Sequence, residues 1–374
     1  MSKLRIAVVG AGYWGPNLIR NFSACPLTEV VAICDANPQR LEAIARNYGH
    51  IQGVGSLDQL LELPLDAVAI ATPVSTHYPI ASRCLEAGLH VLVEKPLAAT
   101  VREARSLVEQ AERCGRVLMV DHTYLFSNAV RRIKDLIDQG ELGDLYYVDS
   151  IRINLGLFQH DVNVIWDLTP HDLSIVDYVL GSEARSISAW GCTHADHDIE
   201  DIAYVNVDFG DHLMANFHVN WLSPVKIRQM IFAGSRKSLV FNELNTTEPI
   251  KVYDRGIELG EEDDERHRLL VGYRTGDIWS PYIEPGEALQ GVVSHFAACI
   301  RDEAVPLSDG WLGLRVIRML EAANRSIRAQ GGRVVLSSGV QGNGGDARTQ
   351  RSGEWDSDRP GRPSGSQRDH VLLR

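Results

Sequence analysis

The stretch LRIAVVGAGYWGPNLIRNF, residues 4–22, runs from an apolar strand through a glycine-rich turn into a helix. Leu4 to Val9 read as a strand of a parallel sheet, buried on both faces. Gly10, Gly12 and Gly15 follow in the GxGxxG spacing. In that pattern Gly10 allows the tight turn and Gly12 lets the backbone approach a pyrophosphate, while Gly15 lets the helix pack against the strand. The free N–H groups at the start of the helix then face the phosphates. A second apolar run, Glu29 to Cys34, ends in Asp35, about 20 residues beyond the last glycine. An acid there accepts hydrogen bonds from the adenosine ribose and repels a 2′-phosphate. The pattern therefore points to NAD as cofactor. NADP is the alternative, because Arg40 lies on the next helix.

Working outward from this unit, strand and helix signals alternate. Strands are expected at 4–10, 29–34, 66–71, 89–93 and 117–120. Helices are expected at about 14–23, 38–47, 57–62, 77–87 and 100–114, with Ser56 capping the third. Such alternation builds a doubly wound parallel sheet. After residue 122 the rhythm changes. A helix at about 128–139 is followed by strands at 143–154, 184–193, 200–209, 212–222, 226–234, 237–242 and 250–254. Short turns between them imply a mostly antiparallel sheet. One helix, about 170–180, interrupts it, and two more close the ordered part at about 286–302 and 309–330. Segment 255–285 reads as loop, with the acidic run EEDDE at 261–265 solvated. The expected domains are 1–122, a dinucleotide-binding domain, and 123–336, a substrate domain. Residues 337–374, rich in Gly, Ser, Asp, Arg and Gln, read as a disordered tail.

Composition narrows the function classes. A length of 374 residues suits two domains, and 44% hydrophobic residues suit a soluble globular protein. A formal charge of −12 argues against a nucleic-acid partner. No apolar run reaches membrane-spanning length. The six cysteines form no CxxC pair and read as reduced thiols, placing the protein in the cytoplasm. The histidine and aspartate cluster at 194–198 reads as a polar loop, so no metal is expected.

Three further motifs carry chemistry. The third strand ends in Thr72-Pro73-Val74-Ser75-Thr76-His77, at the edge where an open α/β sheet binds ligands. Thr72, Pro73 and Ser75 are placed to line the cofactor; His77 opens a helix, as a cofactor contact or as a cap. The fourth strand ends in Glu94-Lys95-Pro96. A lysine at the exit of a buried strand suits proton transfer. Further on, Trp166-Asp167-Leu168-Thr169-Pro170-His171-Asp172 starts a helix, with Pro170 in its first turn. Asp167 and His171 are four residues apart, a spacing that lets the carboxylate orient the imidazole. Asp172 is expected to face elsewhere and to serve the helix N-terminus.

VVGAGYWGPN at 8–17, ATPVSTH at 71–77, VEKPL at 93–97 and WDLTPHDLSI at 166–175 together resemble the Gfo/Idh/MocA oxidoreductases. The likeness spans about residues 3–335. It implies a Rossmann domain followed by an α/β domain with a large, open-faced, mostly antiparallel sheet. That face would join the chain into a homodimer or homotetramer. The resemblance further implies that Lys95 contacts the reacting hydroxyl, that His171 is the base and that Asp167 is its partner. Glu94 and Lys95 would lie beside the nicotinamide ribose, Tyr13 and Trp14 at the pyrophosphate turn, and His122 near the nicotinamide ring.

The subgroup with GYWGPNLIRNF and PHDLSI is similar to bacterial sugar and sugar-nucleotide dehydrogenases. Polar groups for a sugar are then sought at Arg152, Asn154, Asn163 and Trp166. A segment holding Trp279 and Tyr282 is placed to close over the substrate. Arg152, Lys226 and Arg228 are candidates for a diphosphate. The expected function is hydride transfer between NAD and a ring alcohol or ketone of a sugar, nucleotide-linked and for example at C3. The alternatives are an NAD-using glycoside hydrolase of the same fold and a non-catalytic NAD-sensing regulator.

Overall fold

The computed structural model describes residues 2–156, 162–195, 198–259, 271–302 and 304–337. Its first part contains β1 (Leu4–Val9), α1 (Gly15–Ala24), β2 (Thr28–Cys34), α2 (Pro38–Asn47), β3 (Gln52–Val54), α3 (Leu57–Leu61), β4 (Ala67–Ile70), α4 (His77–Glu86), β5 (His90–Glu94), α5 (Val101–Cys114) and β6 (Leu118–Asp121). The strands form one parallel sheet in the order β3-β2-β1-β4-β5-β6. This is the doubly wound order whose crevice lies between β1 and β4. Local chemistry starts the helices, Ser56 as expected from the sequence, with two further caps beside it. Asn37 accepts from the Gln39 amide ahead of Pro38, Ser56 from the Gln59 amide, and Thr100 from the Glu103 amide. Strand β3 was not anticipated. It is three residues long, contains Gly53 and sits at the sheet edge with two of its residues exposed, so it carries no apolar signal.

The second part contains α6 (Asn128–Asp138), β7 (Leu145–Leu155), α7 (Val164–Leu180), β8 (Ser186–Cys192), β9 (Ile202–Gly210), β10 (Leu213–Asn220), β11 (Leu222–Gly234), β12 (Ser238–Asn242), β13 (Ile250–Leu259), β14 (Val271–Trp279), α8 (Ala288–Arg301), α9 (Gly310–Arg328) and β15 (Val334–Val335). The sheet order is β14-β13-β12-β11-β7-β10-β9-β8-β15. Among the described residues of this sheet only β7 and β10 pair in parallel; the other pairs are antiparallel. The Phe-Gly-Asp-His turn holds Asp211 and His212 at positive φ, as a tight hairpin requires.

Two expectations are corrected here. Segment 255–285 is not simply loop, because β13 lengthens to Leu259 and β14 pairs with it at the sheet edge. Both are rich in polar and charged residues, which masks an edge strand. The acidic run 261–265 and the expected tail beyond 337 lie outside the described residues. Helix α7 starts at Val164, not near 170, and Pro170 sits inside it. Asn163 caps that earlier start by accepting from the Trp166 amide at 3.2 Å.

The last two helices return to the first sheet. Helix α8 packs on α1, with Phe296 edge-on to Phe22, and α9 packs on α5 and β6. Ser308 and Asp309 cover the open edge of β6: Val120 N donates to Ser308 O at 2.8 Å, and the Ser308 hydroxyl donates to Val120 O at 2.7 Å. The six cysteines are all free. Among the described residues no helix is long and apolar enough to cross a membrane.

Candidate active site

The glycine turn is shaped by its neighbours. Gly10 has φ +99°, and a Cβ there would lie 2.5 Å from the Ala71 carbonyl oxygen. A Cβ on Gly15 would lie 2.0 Å from the Gly10 carbonyl oxygen. Gly12 differs, since its Cβ would meet nothing nearer than Arg40 Nη1 at 3.9 Å. It faces the open space a pyrophosphate needs. Substituting Gly15 with alanine should therefore lower the melting temperature, because backbone must move. Gly12→Ala should melt like wild type and bind dinucleotide roughly 10-fold or more weakly, its methyl costing at least about 1.4 kcal/mol of affinity. Thermal melts and a fluorescence titration read the two effects separately.

Asp35 follows β2 beside the glycine turn. Its Oδ2 accepts from the Ala11 amide at 2.7 Å and its Oδ1 from the Asn37 amide at 2.8 Å, with Arg40 Nη1 3.6 Å away. Tyr13 is 92% exposed at the mouth of the turn, and Trp14 points inward, its indole N–H 3.5 Å from Asp121 Oδ2. Thr72 accepts from the Thr76 hydroxyl, Pro73 precedes a single 3-10 turn, and Ser75 is exposed. His77 is buried between two carbonyls, Pro96 O and Thr72 O, each 2.8 Å from a ring nitrogen. It ties the end of β4 to the segment after Lys95.

The lysine and the helix α7 groups meet at the C-terminal edge of the parallel sheet. Lys95 Nζ donates to the Asp167 carbonyl oxygen at 3.0 Å and stands 3.8 Å from Asp167 Oδ1. The expected pairing of Asp167 with His171 is corrected: Asp167 Oδ2 accepts from Trp221 Nε1 at 3.0 Å, and His171 Nδ1 is buried with no partner. The helix begins about six residues earlier than expected, so Asp167 lies in its first turn and faces Lys95 and Trp221. The His171 ring instead packs edge-on against Tyr124, 5.0 Å between centroids. Burial, then the charges of Lys95, Arg152 and Arg228, hold the His171 imidazole well below its ordinary range. His122 is 1% exposed, and burial followed by Lys95 lowers it to about 3.

Under Tyr124 and His171 lies an ion network that the sequence did not disclose. Arg152, 3% exposed, donates Nε and Nη2 to Asp172 at 3.0 and 2.6 Å and reaches Glu243 at 3.0 Å through Nη1. The Tyr124 hydroxyl donates to Glu243 at 2.7 Å, and Arg228 pairs with the same carboxylate. Asp172 thus serves Arg152, not the helix terminus, because Arg152 stands opposite it on β7. Arg152 is occupied by two carboxylates and is not free for a substrate. Asn163 is likewise occupied, donating to Glu200 at 2.7 Å and Asn324 at 3.0 Å besides capping α7. Trp166 is buried with its indole nitrogen unpartnered, and Asn154 is half-buried near the end of β7. Trp279 ends edge strand β14 and packs on the core, while Tyr282 is 84% exposed beyond it. The segment expected to close over the substrate is therefore partly strand. His194 bonds Asp201 at 2.9 Å, and 196–197 of that cluster lie outside the described residues.

Acid should weaken the fold through these histidines. His77, His122 and His171 all have folded pKa values below the unfolded one, so the unfolded chain takes up more protons as pH falls. Stability is retained above about 6.5 and declines below it by roughly 1.4 kcal/mol per pH unit per histidine at most. Glu94, raised in the fold, works the other way. Urea midpoints measured from pH 7.5 down to 5.5 should fall steadily.

The described residues fit a dinucleotide. Besides the space at Gly12, buried polar atoms without partners gather where β5, β6 and α7 meet: Glu94 Oε1, both His122 ring nitrogens and His171 Nδ1.

Residues 4–122 match the family model for the Gfo/Idh/MocA oxidoreductase family, NAD-binding Rossmann fold, and residues 130–240 match the GFO/IDH/MocA C-terminal domain. The chain belongs to the Gfo/Idh/MocA family. Its relatives include UDP-N-acetylglucosamine 3-dehydrogenase of Acidithiobacillus ferrooxidans, 29% identical over 68% of this chain and 79% of that protein. D-apiose dehydrogenase of Paraburkholderia graminis is 24% identical over 90% of this chain and 91% of its own length. Among solved structures, the WlbA dehydrogenase of Bordetella pertussis in complex with NADH and UDP-GlcNAcA shares the fold. Its TM-score is 0.76 at 21% identity, covering 90% of this chain and 99% of that one.

Proposed function

We propose that this family member oxidises a ring alcohol of a sugar, or reduces the matching ketone, using NAD in preference to NADP. The observation that carries the reading is the meeting of Lys95, Asp167 and His171 at the sheet edge beside an open glycine turn. Bound dinucleotide supplies the hydride acceptor. His171, neutral at pH 7 because burial and three neighbouring cations disfavour its charged form, takes the hydroxyl proton. Lys95, oriented by the Asp167 carbonyl, polarises the substrate oxygen. Asp35, in place of a basic residue, supports NAD.

The relatives act on nucleotide-linked and free sugars alike. We favour a nucleotide sugar, as the sequence subgroup implies. Arg152 is excluded as its diphosphate contact, which leaves the exposed Lys226 and the half-buried Arg228. A screen of sugars and nucleotide sugars with NAD and NADP, read at the nicotinamide absorbance, tests the whole reading. Turnover with no ring alcohol or ketone would sink it.

The open face of the second sheet extends the reading to assembly. Tyr147, Trp190, Tyr204 and Met214 are exposed on one face of β7, β8, β9 and β10. An exposed aromatic surface of this kind suits pairing with a second copy. Light scattering should report a dimer or tetramer, and charge placed at Trp190 and Tyr204 should shift it toward monomer.

A further inference from the structure

Strands β5 and β6 run in register, and Glu94 and Asp121 are partners at their C-terminal ends. As register partners on adjacent parallel strands they leave the same face of the sheet, and two acids so placed, with Asp121 and Glu94 Oε1 buried, are relieved of their mutual repulsion by one proton held between them. Asp121, fully buried, receives the Thr123 hydroxyl at 2.8 Å and the Trp14 indole N–H at 3.5 Å. Glu94 Oε2 accepts from the Lys95 amide at 3.3 Å, whereas Oε1 is buried and faces no donor. A proton on Oε1, given to Asp121, accounts for that atom. Burial and the adjacent Asp121 charge push the Glu94 carboxyl well above the usual range.

Position gives the pair its meaning. In a sheet of this order the second half of a dinucleotide lies over the C-terminal ends of the later strands. Trp14 connects the pair to the glycine turn, and the unpartnered nitrogens of His122 adjoin it. The other groups facing it are Lys95 at the end of β5 and Thr123 after β6. Asp167 and His171 on α7 stand beyond Lys95.

We propose that Glu94 and Asp121 share one proton that is released when the oxidised, cationic dinucleotide binds and kept when the reduced, neutral form binds. The inference rests on the NAD reading above. A positive ring against the pair favours two carboxylates, and a neutral ring excludes water and favours the shared proton. Lys95 and His122 stand beside the pair with either form, so they do not create the difference. By linkage, the affinity ratio of NAD⁺ to NADH should rise with pH, by up to about tenfold per pH unit for one proton.

Calorimetry in two buffers of different ionisation heat counts the protons exchanged on binding each form. The wild type should release close to one proton more with NAD⁺ than with NADH. In Asp121→Asn and Glu94→Gln the difference should vanish while NADH still binds. Infrared difference spectra of the wild type give an independent reading: a protonated carboxyl band should disappear with NAD⁺ and persist with NADH. Equal proton counts for the two forms, or an unchanged difference in both variants, would overturn the proposal and leave the NAD reading standing. Failure to bind either dinucleotide would overturn both.

Discussion

Replacing His171 with alanine is expected to lower the turnover number by about 10²–10⁴-fold, the usual contribution of a positioned proton acceptor. Lys95→Ala should fall in the same range. Neither side chain forms part of the glycine turn, so NADH affinity, followed by tryptophan fluorescence, should stay within a few-fold of wild type. The two effects should combine less than additively, because Lys95 and His171 serve the same oxygen. Burial holds His171 below its ordinary range. The oxidative rate should therefore persist through neutral pH and decline only as acid protonates the ring. Wild-type turnover in both variants would remove these residues from the reaction.

Asp172→Ala is expected to destabilise the protein by roughly 3–5 kcal/mol, because it leaves the buried Arg152 with half its partners gone. A urea midpoint shift at constant slope would report it. Replacing both partners, as Arg152→Met with Asp172→Leu, should recover much of the loss, since Glu243 keeps Arg228. A single Asp172→Ala variant as stable as wild type would show that the pair contributes little. Activity should suffer in either case, because the network also fixes Tyr124, on which His171 rests.

The parallel sheet was legible because its strands are buried on both faces and its punctuation is chemical: Gly10 and Ser56 each sit where backbone geometry needs them. Lys95 was legible for the same reason, standing as a charge at the end of an apolar run. Pairings between distant segments were not legible. Nothing local to Arg152 says that Asp172 and Glu243 will meet it, and the spacing of Asp167 and His171 suggested a pair that the helix start replaced with Lys95 and Trp221. Edge strands β3 and β14 escaped because exposed strands keep polar residues on both faces. Asp121 escaped because an apolar strand ending in an acid looks like an ordinary exit to solvent. Only the partner strand shows that it is buried against Glu94.

The return of the last two helices bears on how such proteins can be recombined. A chimaera joined at residue 122 would take its cofactor half from one parent and its substrate half from another. It would also separate β6 from the Ser308 and Asp309 backbone that closes its edge, and Phe22 from Phe296. A working exchange must cut twice, carrying residues 1–122 together with 288–309, and must match α9 and β15 to both parents, since α9 packs on both α5 and β8, and β15 pairs with β8. The two halves of this chain are interleaved in sequence, so its unit of inheritance is the cofactor half with its C-terminal clasp.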